Sequence, residues 1–537
     1  MKSNGLASRR IACVVLLLAV GLFAACSPAA APSSGGSKPG DTSSIKKGGH
    51  LKVSSGGQAE GLDPHTQQGG SHHFLFPLFD NLVAYDNDAK PSTALSLAEA
   101  WTVKNDTTIE FKIRKGVKFH DGTDLNAETI KWNIDRVLDP KTLAVGRGAL
   151  TVLDRIEITD PYTIVFHLKE PSAPLLLNLG DKSGYINSRA GVEKWRDDYR
   201  RHPVGSGPFM FGEWIQDSHI KMKKNPDYWR KSDTGGALPY LDEITWLVLP
   251  DPAIRVAALR VGEIDMLNTG GLPNINIPQF KNNPDFTYIQ TMSGSLPDIR
   301  INMDVFPMNN VNLRRAMSYA LDREAIVKAN FGELGQVVRG PVTPGYAWAY
   351  CEQCIQPTKR DLNKAKEELA KAGYVNGFEW EHVLLNSSAE ARLLGEMIQA
   401  QLQDAGIRTK IAVRADFQRD FYIERRSPSF AGSFSDRADP DGSFYEKHHS
   451  KGSFFATRDP ANINPKVDDL LDKARLPYDL AERKKIYNDA EKIVVDDVYG
   501  SIMMAYVGRA AALHKYVKGY ELGGEGKGRF HAVWLDK

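Results

Sequence analysis

Beyond its first 26 residues, this chain of 537 has no apolar run approaching the roughly 18 residues needed to span a bilayer. It has no excess of charge. Lys and Arg total 68 against 66 for Asp and Glu, and three of the bases fall in the first 25 residues, leaving a net charge of −1 beyond them. That balance gives no footing for nucleic acid. Cysteine is scarce at four residues, Cys13, Cys26, Cys351 and Cys354. The C-x-x-C pair has no two further ligands nearby to complete a zinc site. It sits in a loop rich in Pro and aromatics, 341–357, rather than in the βαβ setting of a thioredoxin-like redox motif. The familiar catalytic patterns are missing too. There is no H-E-x-x-H. Ser206 has Val204 and Pro208 where a nucleophile elbow needs glycines. Gly526-Lys527 is preceded by Glu521 and followed by Gly528 where a phosphate loop needs Gly and Ser or Thr. Asp439-Pro440-Asp441-Gly442 has the wrong spacing for a calcium loop. No repeat of 20 to 50 residues is present, which excludes solenoids and propellers. Nothing demands an enzyme, a metal or a cofactor.

The first segment is informative. Lys2, Arg9 and Arg10 precede an apolar stretch from Ile11 to Ala25, which exits at Phe23-Ala24-Ala25-Cys26. Charge, length and small-residue exit make residues 1–25 a signal peptide, and the ending resembles a bacterial lipobox, in which Cys26 would be lipidated. Residues 27–48 are mostly Ser, Pro, Ala, Gly, Lys and Thr and cannot build a core. As a flexible tether they would reach on the order of 25 Å. The expected location is therefore the cell membrane, lipid-anchored, facing the periplasm or the cell exterior. In such a compartment Cys351 and Cys354 are expected to form a small structural disulfide, with free thiols as the alternative.

Residues 49–537 are too long for one core and suggest two or three lobes. Strand and helix signals alternate, giving an α/β class. Ile109, Phe111 and Ile113 alternate with charged residues as in a half-buried strand. Asn126 is placed to cap a helix through Ile130, Ile134 and Val137 that Asp139-Pro140 stops. Ile156 and Ile158 face Ile164 and Phe166 across Asp160-Pro161 as a hairpin. Asn312 and Asp322 read as successive N-caps, and Asp361, Ser388 and Asp479 as further helix starts. The helix after Ser388 is expected to bury Leu393, Leu394, Met397, Ile398 and Leu402, end at Gly406 and lead into a strand from Ile407 to Val413.

A series of motifs then points to one family. Leu97-Ala98-Glu99-Ala100-Trp101, Gly116-Val117-Lys118-Phe119-His120-Asp121-Gly122-Thr123, Pro203-Val204-Gly205-Ser206-Gly207-Pro208-Phe209, Asn225-Pro226-Asp227-Tyr228-Trp229, Leu313 to Arg323 and Asp361 to Gly373 occur in that order. Together they resemble the family 5 solute-binding proteins, which serve ABC importers of oligopeptides, dipeptides, nickel and related solutes. The resemblance implies a periplasmic-binding-protein type II-like fold with a two-sided cleft and three lobes. Lobe I would take about 49–85, 200–295 and 505–537, an extra lobe 86–199, and lobe II 296–504. Gly205 and Gly207 are expected to supply unusual backbone angles at a chain crossing. The implied partners are a peptide or small-molecule solute, ABC permease subunits and, through the lipid anchor, the membrane; the protein is expected to be a monomer.

The resemblance also implies a site. Ser433-Phe434-Ser435-Asp436-Arg437-Ala438-Asp439-Pro440 is similar to the W-x-x-D-Y-x-x-P of peptide-binding members, with Asp436 at the position that holds a peptide amino group. Ser433 and Arg437 depart from that pattern, so Asp436 could instead only cap a turn or pair with Arg437. Phe434 and Ser435 join Asp436 as ligand candidates. Gln68, Gly70 and His72, in the loop after Leu62-Asp63-Pro64-His65, are expected to border the cleft, and Tyr506 and Trp348 to be apolar walls. Nickel-binding relatives use arginines, and the stretch Leu179–Asn187 has none. A nickel-chelate or other small-solute receptor is the alternative; a signalling receptor without transport and a secreted enzyme are the other classes.

Overall fold

The computed structural model describes residues 45–67, 72–87, 89–384, 389–414, 416–417, 419–435, 437, 439–452, 454–523 and 526–537; the side chains of His72, Ala389, Glu390 and Phe434 fall outside that description. The signal peptide, Cys26 and most of the tether therefore lie outside the described residues.

The fold is mixed α/β. A twelve-stranded sheet runs, edge to edge, through Ile407–Val413, Phe378–Leu384, Ser429–Ser435, Phe286–Ile301, Ala505–His514, Met266–Leu267, His50–Ser55, Glu243–Val248, His219–Lys224 and Phe209–Ile215. Ser501–Met503 and Gly335–Val337 pair alongside the central strands. Both ends of this sheet contain parallel pairs, His50–Ser55 with Glu243–Val248 at one and Phe378–Leu384 with Ile407–Val413 at the other. A separate four-stranded antiparallel sheet comprises Ala98–Asn105, Thr108–Ile113, Thr163–Leu168 and Leu153–Asp160.

Burial divides along these lines. One apolar core gathers residues from Leu82 to Ile186 around the small sheet and helix Ala127–Leu138. A second gathers Leu296 to Met504. A third gathers the strands near His50–Ser55 with C-terminal residues up to Leu535. Two strands pass between the second and third cores. In the first half of Phe286–Ile301, Phe286 to Thr291 pairs with His514 to Arg509. The register then shifts at a bulge, after which Ser295 pairs with Val507 and Asp298 to Arg300 with Met503 to Ser501, while the opposite edge, Ser295 to Ile301, pairs with Ser435 to Ser429. The bulge brings the backbones of Phe286–Ile301 and Ala505–His514 close together. A Cβ on Gly294 would stand 1.8 Å from the Val507 carbonyl oxygen, and one on Gly508 2.6 Å from that of Thr291, so no larger residue fits at either without opening the crossing.

Local expectations largely hold. Ile109, Phe111 and Ile113 are buried on Thr108–Ile113. Asn126 caps its helix by accepting from the Thr129 N–H, and Asp322, Asp361 and Asp479 cap theirs. Two details differ. Helix Val311–Ala320 is capped by Asn310, whose side chain accepts from the Asn312 and Leu313 N–H groups, so Asn312 is already inside the first turn. Leu393 turns outward at 42% exposure while Ile398 and Leu402 are buried; the apolar stripe on Ala389–Asp404 is narrower than a face drawn through all five residues. Ser388 lies outside the described residues. Gly205 and Gly207 do not adopt positive φ. They serve close approach instead: a Cβ at either would run into the backbone of Pro77 and Leu78 at 2.1–2.6 Å.

The second core is flanked by a buried ion pair. Asp439, fully buried, receives two hydrogen bonds from Arg483, at 2.7 and 2.8 Å. Tyr487 donates to the same carboxylate at 3.3 Å and the Asp441 N–H at 2.9 Å, while Arg483 Nε donates to the Ala474 carbonyl. Removing one partner strands the other as a buried charge. Asp439→Ala is expected to lose about 3–5 kcal/mol of stability. Asp439→Ala with Arg483→Met together should cost less than the sum of the two single changes. Urea denaturation of the three variants measures this, and an Asp439→Ala protein within about 1 kcal/mol of wild type would remove the pair from its structural role.

Candidate functional site

The crossing brings several candidate residues into one place. Ser295 pairs with Ser435 on one side and Val507 on the other. Ser435 ends its strand, and its hydroxyl accepts from Arg509 Nη2 at 3.2 Å. Tyr506, the neighbour of Val507, is 1% exposed on the same crossing strand, opposite Gln336. Asp436, Gln68 and Gly70 lie outside the described residues, as do the side chains of Phe434 and His72. Trp348 lies against the Asp439–Arg483 ion pair. It packs partly buried against the Leu296–Met504 core, its ring 4.9 Å from the Arg483 guanidinium carbon and edge-on to Tyr487. Cys351, three residues beyond it, is joined to Cys354 in a disulfide with Cα atoms 5.4 Å apart.

Asp63 and His65, read as the approach to a contact loop, are buried in packing. Asp63 takes two hydrogen bonds from Arg136 at 2.6 and 3.2 Å. His65 bonds the Tyr185 carbonyl, and burial holds it neutral, pulled down to about 4. The pair fastens the loop to helix Ala127–Leu138. Among the described residues no group of three or more His, Cys, Asp or Glu is placed to hold a metal ion, and no helix is long and apolar enough to cross a membrane.

Beside the crossing lies a polar junction that was only partly visible beforehand. Arg437 donates its backbone N–H to the Tyr346 hydroxyl at 3.2 Å, and its guanidinium reaches across to Asp181 at 3.4 Å. Asp181 also receives the Lys527 ammonium at 3.2 Å. Lys182 is next in sequence. Burial, then the charges of Arg437 and Lys527, pull its ammonium down to about 8, with Asp181 opposing. Asp181 and Lys182 follow the short helix Pro174–Asn178, Lys527 belongs to the C-terminal stretch, and Arg437 follows strand Ser429–Ser435. Searching Leu179–Asn187 for arginine alone passed over Lys182. Lys527 and Arg509 carried no local motif, because only the fold brings them near Arg437 and Ser435.

A cavity of about 90 Å³ adjoins this junction, bordered by Phe76, Asp80, Tyr85, Arg230, Lys527 and His531. Asp80 accepts from Trp229 Nε1 and Ser206 Oγ, both at 2.9 Å. Trp229 and Ser206 belong to two of the sequence motifs, so those stretches meet on one carboxylate.

With this architecture in view, the relatives are decisive. Residues 93–455 match the family model described as bacterial extracellular solute-binding proteins, family 5 Middle. The chain belongs to that family. It is 30% identical over 425 residues to the glutathione-binding protein GsiB of Escherichia coli O1:K1 / APEC, covering 78% of this chain and 81% of that one. Among solved structures it superimposes on the periplasmic binding protein DppA of Helicobacter pylori in complex with the peptide STSA, with a TM-score of 0.78 and 28% identity over 92% of this chain and 99% of that one. It also matches AgaA from A. tumefaciens R10 in complex with agropinic acid, at a TM-score of 0.76 and 27% identity, over 90% of this chain and 99% of the other. The family 5 fold accounts for the long crossing strands and for the separate cores on either side of them.

Asp80 yields a pH test. Burial pushes its carboxyl up to about 6, against hydrogen bonds from Trp229, Ser206 and Tyr228 that favour the anion. In the unfolded chain it would titrate near 4. Its contribution to stability is therefore fully present below pH 4 and is lost as the pH rises through 6. Wild type should lose about 2–3 kcal/mol relative to Asp80→Asn between pH 4 and pH 6.5 and then run parallel to it. Denaturant titrations across that range check it, and a constant difference would show that Asp80 keeps its ordinary titration.

Proposed function

We propose that this family 5 protein captures a peptide-like, amine-bearing solute between the lobes flanking its crossing strands and delivers it to the permease of an ABC importer without chemically altering it. The observation that carries this reading is the pair of strands, Phe286–Ile301 and Ala505–His514, which connect two separately cored bodies beside the Ser429–Ser435 strand end. Such an arrangement suits hinge closure over a solute. A relative named for glutathione and a neighbour holding the peptide STSA support a peptide-like ligand. Asp436, directly after Ser435, is the amine anchor in this reading, since a buried ammonium needs a carboxylate partner. Gln68, Gly70, His72, Phe434 and Tyr506 would line the same cleft.

The test pairs shape with affinity. Small-angle scattering should show a smaller radius of gyration on saturation with a peptide such as glutathione or Ser-Thr-Ser-Ala. Calorimetry on Asp436→Ala with the same peptide should show binding weakened by about 2–5 kcal/mol. An unchanged radius at saturation removes the hinge, and undiminished binding by a folded Asp436→Ala protein removes the amine anchor.

The anchor is proposed alongside. The lipobox-like exit at Cys26 and the core-free stretch behind it support a lipid-held receptor on a tether. Cys26→Ser should release the protein from washed membranes into the soluble fraction. A variant that stays fully membrane-bound through a high-salt wash would rule out lipidation at this residue.

A further inference from the structure

Tyr478 belongs to the second body by sequence and to the first by packing. It sits in the loop between helices Pro465–Lys473 and Leu480–Asp496, whose Leu471, Tyr487 and Ala490 lie in the second core. Its own ring packs, partly buried, against the core of Leu82 to Ile186. The hydroxyl donates to the Asp106 carbonyl at 3.3 Å, in the turn between strands Ala98–Asn105 and Thr108–Ile113, and accepts from the Ser172 N–H. Three residues earlier, the Arg475 carbonyl accepts from the Ala173 N–H at 2.9 Å. Ser172 and Ala173 are both buried.

Each side of this contact is tied firmly to its own body. The first core is fastened to the strand His50–Ser55 side of the molecule by Asp63 and Arg136, and by the His120 N–H, which donates to the Gly205 carbonyl. On the other side, Arg475 Nε stands 3.1 Å from Asp441, and its guanidinium lies 4.5 Å from the centroid of the Tyr445 ring. The Ala474 carbonyl accepts from Arg483 Nε at 2.8 Å. Segment 474–478 is thus held by the same clamp as the turn at Asp439-Pro440-Asp441. A hinge motion about the crossing strands separates the second core from the other two. It must part the Tyr478 and Arg475 contacts while the ties on either side of them stay intact. The bonds that part are neutral, so opening strands no buried charge and leaves backbone groups that water can satisfy.

We infer that Tyr478 and the Arg475 carbonyl form a latch that holds the second body closed on the first, and that this latch sets how long a solute is held. Tyr478 is a positioning residue, acting on the solute through closure. Because segment 474–478 moves with the turn after Asp436, the latch and the proposed anchor engage together. This inference rests on the hinge reading above.

Hydrogen exchange and stopped-flow binding test it. In wild type the amides of 172 and 173 should exchange about tenfold or more faster than those of strand Thr108–Ile113, because they open with the latch and not with the core. Tyr478→Ala should speed exchange at 172 and 173 further, by on the order of tenfold, and leave 108–113 unchanged, which also shows that the variant is folded. With glutathione or Ser-Thr-Ser-Ala as the probe, Tyr478→Ala should release it on the order of tenfold faster, with an association rate within about twofold of wild type. Tyr478→Phe, which keeps the ring and loses the hydroxyl, should fall between the two. Equal exchange of 172–173 and the strand in wild type means that the contact never parts, and overturns the latch. Exchange that quickens equally at both places in Tyr478→Ala makes Tyr478 a support of the first core alone, and overturns it too. So does an unchanged dissociation rate. If neither probe binds wild type, the peptide reading falls and the exchange result alone decides the latch.

Discussion

The constraint on which the rest depends is one bulged strand that holds partners from two bodies on its two edges. Phe286–Ile301 pairs along one edge with Ala505–His514 and then Ser501–Met503, with a bulge between Thr291 and Ser295, and from Ser295 onward its other edge takes Ser429–Ser435. At that point Gly294 and Gly508 let the two backbones touch. The consequence is a shared seam with a separate apolar core on each side. Motion about the seam can leave both cores packed, which is what hinge closure requires. At the seam the side chains of Ser435 and Arg509 meet although they are distant in sequence.

The second body tolerates an open strand end because the segment after it is clamped. Asp439 closes a short turn over Pro440 and buries its charge against Arg483, with Tyr487 completing the set. Arg475 repeats the arrangement on Asp441, whose carboxyl burial pushes up to about 7. Two residues before this clamp stands Arg437. Anchoring Asp439 this firmly limits how far the backbone at 437 can wander, so the position of the guanidinium follows from a buried interaction that touches no ligand. Asp439 is thereby a structural residue, and its proximity to Asp436 in sequence does not make it a second anchor.

Much of the fold was legible because the signals were local. Period-two burial on Thr108–Ile113 and the caps at Asn126, Asp322, Asp361 and Asp479 depend on neighbours within four residues, and they appear as read. Misreadings came where a choice between adjacent residues was needed, as at Asn310 and Asn312, or where tertiary contact overrode a local inference. Gly205 and Gly207 are the clearest case: glycine was legible, but its reason was the backbone of Pro77 and Leu78, more than 120 residues away. The site was less legible for the same reason. Asp436 and Arg437 stood out through an ordered motif, whereas Lys527 carries no pattern and acquires meaning only when the fold sets it on Asp181 beside Arg437.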